Sequence, residues 1–190
     1  MFVLKTKEPE LSETMQAVLY RSMGGELPKG EYEEARVDDV LRIKYRIMNF
    51  LINNEDILRV LHHPHLSKEK PLNPGAFRNE AIFDYLVLPS QIKTEIKNYI
   101  CFDVDLSAGS QTNHSILLTF NVISHDDDCR TEWGFTRHDL LAAILANALS
   151  WSSFGKTAIR LSDTSHCDDS YHYRTIIYRI TSPNEYYNRV

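Results

Sequence analysis

The segment Ile100-Cys101-Phe102-Asp103-Val104-Asp105-Leu106 sets Ile100, Phe102, Val104 and Leu106 against Cys101, Asp103 and Asp105, and Ile116-Leu117-Leu118-Thr119-Phe120-Asn121-Val122 repeats that alternation. Successive side chains of a strand leave opposite faces, so each segment predicts a strand with one face on a core. The connection from Ser107 to Asn113 is polar and short, and it predicts an antiparallel pair. Asp103 and Asp105, with His114 and Asn121 nearby, predict a second face that meets water, a channel or a polar partner, ordinary solvent being the simplest.

Outward from the hairpin the period changes. Thr136-Arg137-His138-Asp139 has the form of a capping box, with the shorter Asp in its last position. Leu140, Leu141, Ile144, Leu145, Ala148, Leu149 and Trp151 then predict a helix that is apolar around most of its circumference and lies in the core. Gly155 closes that region. A short strand from Thr157 to Leu161, a polar loop and a last strand from Tyr171 to Thr181 are expected, with Ile176, Tyr178 and Ile180 on one face.

On the N-terminal side, Val37, Val40, Leu41, Ile47, Met48 and Leu51 recur at helical spacing over 37–53, while Arg42, Arg46 and Asn49 are expected to face elsewhere. Asn54-Glu55-Asp56 predicts a capped restart that runs through Leu61 and stops at His63-Pro64. Pro64, Pro71, Pro74 and Gly75 make 63–80 a long surface loop, and a short apolar stretch, Ile82 to Leu88, follows. Residues 1–36 combine charge with Pro and Gly breakers around one possible helix, Ser12 to Met23, and are expected to form an arm or an accessory helix outside the main core.

The expected fold is therefore α+β: N-terminal helices, an antiparallel strand pair, a core helix and a second strand pair, giving one mixed or antiparallel sheet with helices packed on it. The arm (1–36) precedes a single domain (37–190) that carries the Pro-rich loop.

Composition narrows the function. A chain of 190 residues with 43% hydrophobic and 25% charged residues suits one ordinary globular core. A formal charge of −5 argues against a general nucleic-acid binder, which neutralises phosphates with clustered Lys and Arg. Cys101, Cys129 and Cys167 are odd in number and far apart, so neither a disulfide framework nor a zinc ribbon is expected, and a reducing compartment fits best. The first residues turn charged before a signal peptide forms, and no apolar run reaches bilayer length; no membrane association is expected.

His and Asp are dense at His62-His63-Pro64-His65, His125-Asp126-Asp127-Asp128, His138-Asp139, and His166-Cys167-Asp168-Asp169 with His172. None has the spacing of a helical zinc site or a calcium loop, and Asp and His accumulate in turns for local reasons. A metal-dependent hydrolase using His125, Asp126 and His166 is the enzymatic alternative. No nucleophile elbow and no phosphate-cradling loop occurs. The expectation is a non-enzyme with no catalytic residue, cofactor or metal, and with Cys101 as a small buried or half-buried side chain. Aromatic and Arg side chains suit protein contacts. The candidate contact residues are Asp126, Asp127, Asp128, Arg130, Glu132, Tyr171, Tyr173, Arg174, Tyr186, Tyr187 and Arg189.

The run Leu117-Leu118-Thr119-Phe120-Asn121-Val122-Ile123-Ser124-His125-Asp126, then Thr131-Glu132-Trp133-Gly134 leading into Leu140-Leu141-Ala142-Ala143-Ile144, resembles neck proteins of tailed bacteriophages, in particular the tail-terminator or tail-completion group. The resemblance covers roughly residues 37 to 182. It implies a virion protein made in the host cytoplasm that self-associates into a ring, usually a hexamer. Such a ring contacts neighbouring connector and tail-tube proteins and meets DNA only in passage through its lumen. A head-completion or adaptor protein that binds the portal is the alternative within the virion. The group supplies no catalytic residue.

Overall fold

The computed structural model describes residues 37–87, 89–92, 95–107, 115–151, 158–168 and 170–180. The expected arm, His114, Gly155 and the C-terminal Tyr186, Tyr187 and Arg189 lie outside the described residues.

Helix α1 (Val37–Ile52) buries Ile43, Ile47, Met48 and Leu51 at the spacing of one helical stripe. The stripe is rotated from the expected one: Leu41 is exposed and Arg42 is buried. A long Arg stem lies along an apolar surface as readily as a Leu, so polarity alone misplaced the boundary by one residue. Helix α2 (Glu55–Val60) restarts where Asn54 caps it, its side-chain oxygen accepting from the Ile57 N–H at 3.2 Å. It buries Ile57, Leu58 and Val60, and His62 turns the chain away with φ of 52°.

The Pro-rich segment runs over the surface, with His63 and Phe77 as the two side chains that anchor it in the core. It contains two short 3₁₀ turns, Leu66–Lys68 and Pro74–Phe77. His63 and Phe77 are buried with ring centroids 6.0 Å apart. The His63 Nδ1 accepts the Leu66 N–H at 3.1 Å, and the Ser67 hydroxyl donates to the Leu58 carbonyl at 2.9 Å. Backbone groups that enter a core must find partners, and these side chains supply them.

The sheet holds five strands in the order β1-β2-β3-β5-β4. Strand β1 (Ile82–Phe83) pairs parallel with β2 (Asn98–Ser107), and all other pairs are antiparallel. The predicted hairpin is present: β2 and β3 (Ser115–His125) match Ile100 with Val122, Phe102 with Phe120 and Val104 with Leu118. Strand β5 (Tyr171–Ile180) continues the apolar face, setting Ile176 beside Phe120, Tyr178 beside Leu118 and Ile180 beside Ile116. Each such fully buried large side chain contributes about 1.5–3 kcal/mol over exposure, so this face is the main source of stability.

Strand β4 (Ala158–Asp168) corrects the expected topology. The segment expected to leave its strand after Leu161 and loop through polar residues remains extended along β5 to Asp168, with a register shift between Arg160 and Ser162. It lies at the sheet edge and is exposed at most positions, so it carries no apolar alternation; backbone pairing with β5, invisible to periodicity, holds it extended.

Helix α3 (Arg137–Trp151) packs on β3, β5 and α2 through Leu141, Ala142, Leu145 and Leu149. Its cap is as expected in position, with the Thr136 hydroxyl donating directly to the Asp139 carboxylate. The helix is not buried all round: Ala143, Asn147 and Ser150 are exposed. Small residues let an apolar composition coexist with a solvent side.

The opposite sheet face is not wholly polar. At one end Phe83, Val87, Tyr99, Cys101 and Ile123 form a second small core, with Ile92, Tyr171 and Tyr173 packed against it. Beyond it Asp105 is exposed and Asp103 pairs with Lys44 at 2.6 Å.

Candidate functional site

The polar residues that stood out in the sequence gather at one end of the sheet, where β3 stops and α3 begins. His125 ends β3 and its Nδ1 accepts the Asp127 N–H at 3.1 Å, which starts the 3₁₀ turn Asp126–Asp128. The following loop closes through a bridge between Arg130 and Thr136, with the Thr131 hydroxyl donating to the Phe135 carbonyl at 2.9 Å. Gly134 adopts φ of 85° there, a conformation that L side chains rarely reach.

Arg137 is the fastening of this end. Its buried guanidinium donates to the Asp128 carboxylate at 2.9 Å, the Asp128 carbonyl at 2.8 Å and the Val60 carbonyl at 2.9 Å. Asp128 Oδ2 in turn receives Asn98 Nδ2 at 2.7 Å and lies 2.8 Å from His62 Nδ1. One ion pair thus ties β2, α2, α3 and the post-β3 turn together, and its remaining hydrogen-bonding capacity is spent on carbonyls, which is what makes burial of such a pair tolerable.

Beside it lies a second group. Asp126 Oδ1 is 2.5 Å from His172 Nε2, and one donor atom each from Asp126, Cys129 and His172 falls within 4.8 Å of the others. The His172 ring stacks on His138, centroids 5.3 Å apart and planes 5° apart. His138 is buried, and burial pushes its imidazole below the usual histidine range, against the opposing pull of Asp139. Arg174 completes the region by pairing with Asp139 at 3.1 Å and with Asp163 on β4. Its hydrogen bond to Asp163 is the main reason its guanidinium holds its proton still more firmly.

The expected contact residues divide by face. Asp126, Asp127, Arg130 and Glu132 are exposed, whereas Asp128 is engaged internally by Arg137. Tyr171 packs edge-on against His125 at 4.8 Å and Tyr173 stacks on His166 at 4.6 Å, both on the side of the small second core. Arg174 leaves the other side with His172, so the Tyr and Arg residues of β5 do not form one patch. His125, Asp126 and His166 are likewise not gathered: His125 turns to Tyr171, His166 to Tyr173, and Asp126 to His172. Asp163 is not singled out by the sequence, Cys129 stands there only as one of three scattered cysteines, and His138 only within the pair His138-Asp139. The signal for His172 was present, since it shares the parity of Ile176 and Tyr178 and therefore faces the helices. Cys129 carried none, because only the turn brings it to β5.

Among the described residues, surface hollows also lie elsewhere, two of them away from this cluster. One is lined by residues including Phe83, Tyr85, Val87 and Ile96, the other by Ile52, Leu58, Arg59, Lys70 and Leu72, and neither lining contains a His, Cys or Asp.

A mixed five-stranded sheet with helices on one face, a long exposed edge strand and a polar cluster at one end defines a small α+β protein. The chain belongs to the YomW family, whose family model matches residues 54–180, from the cap of α2 to the end of β5. The family is phage-associated, in keeping with the bacteriophage resemblance of the sequence. A search of curated proteins finds no match.

Proposed function

We propose that this chain is a structural, non-enzymatic protein of the phage particle, a ring-forming subunit of the neck that closes the tail and joins it to the head connector. The observation that carries the reading is the edge of β4. Eleven residues of strand lie at the sheet margin, and among the described residues no strand pairs with their outer edge. Ile159 is 57% exposed and Leu161 44%. An open edge recruits another chain, and although β4 carries Arg160 and a register shift near its start, Ser162 to Asp168 runs on in unbroken register. A second copy of the subunit is the occupant that suits it, in a head-to-tail contact that closes into a ring. The phage-associated family supports the setting, and the modest negative charge suits a lumen through which DNA passes without being held.

Mass spectrometry of purified virions, with light scattering and negative-stain imaging of the purified chain alone and mixed with tail-tube and connector proteins of the same phage, tests this. The expected result is the chain in virions and a ring formed alone or on the tube end. Absence from virions overturns the reading. Capture by the portal without the tube would transfer the subunit to head completion.

A further inference from the structure

We propose that Asp126, Cys129 and His172 form a zinc site that clamps the turn after β3 onto β5. The donors come from two chain segments, and the fold brings a carboxylate oxygen, a thiol sulfur and an imidazole nitrogen within 4.8 Å of one another. A mixed sulfur, nitrogen and oxygen set suits zinc better than the harder magnesium or calcium, which take oxygen ligands.

The framework around the donors is built. The Asp126 N–H donates to the Ser170 carbonyl at 2.8 Å, which fixes the turn against the β4–β5 end. The Arg137 N–H donates to the Cys129 carbonyl at 2.6 Å, which fixes the backbone that carries the thiol. His138, itself buried, stacks on His172 and sets the plane of its ring. Tetrahedral zinc with bonds of about 2.0–2.3 Å separates its ligands by about 3.3–3.8 Å. The Asp126 oxygen and His172 nitrogen, now 2.5 Å apart, must therefore open slightly, and the Asp126 side chain is 54% exposed and free to swing. Three protein ligands leave a fourth position to solvent, the coordination of zinc centres that exchange a ligand.

Cys167 is the register partner of His172 on β4 and so supplies a control thiol close by, outside the cluster. The test uses the full chain without a tag. Zinc content is measured after gel filtration, affinity by competition with a chromophoric chelator, and geometry by the absorption of the cobalt-substituted protein. The expected result is one zinc per chain, a thiolate-to-cobalt charge-transfer band, and a melting temperature raised by zinc. Asp126→Asn and Cys129→Ser each weaken binding at least about a hundredfold, more than loss of an outer-shell partner costs, and Cys167→Ser leaves it unchanged. Asp126 lies on an exposed turn, so its variant keeps the fold and the comparison meaningful, which circular dichroism verifies. Equal zinc binding by wild type and both ligand variants, or loss on changing Cys167 with retention on changing Cys129, overturns the assignment.

Discussion

Arg137 Nη2 and Asp128 Oδ1 lie 2.9 Å apart where the sheet end, α2 and α3 converge, and the same guanidinium holds the Val60 carbonyl at the end of α2. Removing Arg137 takes the donor from the Val60 and Asp128 carbonyls and leaves the half-buried Asp128 carboxylate with Asn98 and His62 alone. Arg137→Met is expected to destabilise the protein by about 1–3 kcal/mol, read as a lowered midpoint in urea unfolding. Arg137→Lys should recover little, because one ammonium cannot reach the carboxylate and two separate carbonyls with a planar fork.

Tyr99 is fully buried within the second core, and its hydroxyl has no hydrogen-bond partner among the described residues. Tyr99→Phe should therefore raise stability by about 1 kcal/mol. Burial also pushes the phenol well above the usual tyrosine range. The folded state then favours the neutral form, so this contribution is complete below the ordinary tyrosine pKa of about 10 and is lost as pH rises beyond it. Urea midpoints at about pH 8 and about pH 11 should converge more in the Phe variant than in the wild type.

The three cysteines should separate by reactivity. Cys167 is exposed, Cys129 half-buried and Cys101 buried, and burial pushes the Cys101 thiol up. Thiolate is the reactive form, so iodoacetamide near neutral pH should modify Cys167 first and Cys129 next. Cys101 should be alkylated only on unfolding. Peptide mass spectrometry over a time course checks the order, and early modification of Cys101 contradicts the packing of the second core.

The edge of β4 should govern association without governing folding. Replacing Ile159 and Leu161 together by Lys places charges on an exposed edge, where surface changes alter stability by about 0.5 kcal/mol or less each. The doubly substituted chain should keep the wild-type melting temperature and lose the ability to form rings in light scattering. Unchanged assembly would remove β4 from the interface.

The hairpin and α3 were legible because a core imposes its period on the chain that covers it. Ile100, Phe102 and Val104 had to share a face, as did Ile116, Leu118 and Phe120, and the helix that covers them announced itself from Thr136 onward. Asn54 as a cap was legible because a short polar side chain before an apolar run has a local partner to satisfy. Arg42 shows where the rule weakens: the sequence places its charge but says nothing of its apolar stem.

What the sequence by itself determined is thus the set of elements with a buried side: α1, α2, the hairpin, α3 and β5. Tertiary structure decided the rest. The polar second half of β4 is extended because β5 pairs with its backbone, which no side chain reports. The small core around Tyr99 and Cys101 exists because the chain after β1 folds over the far face. Asp128 became an internal tie and Asp126, Cys129 and His172 became neighbours because strand order and one turn brought distant segments together. Periodicity records burial against a neighbour, but proximity between polar groups far apart in the chain is a property of the fold alone.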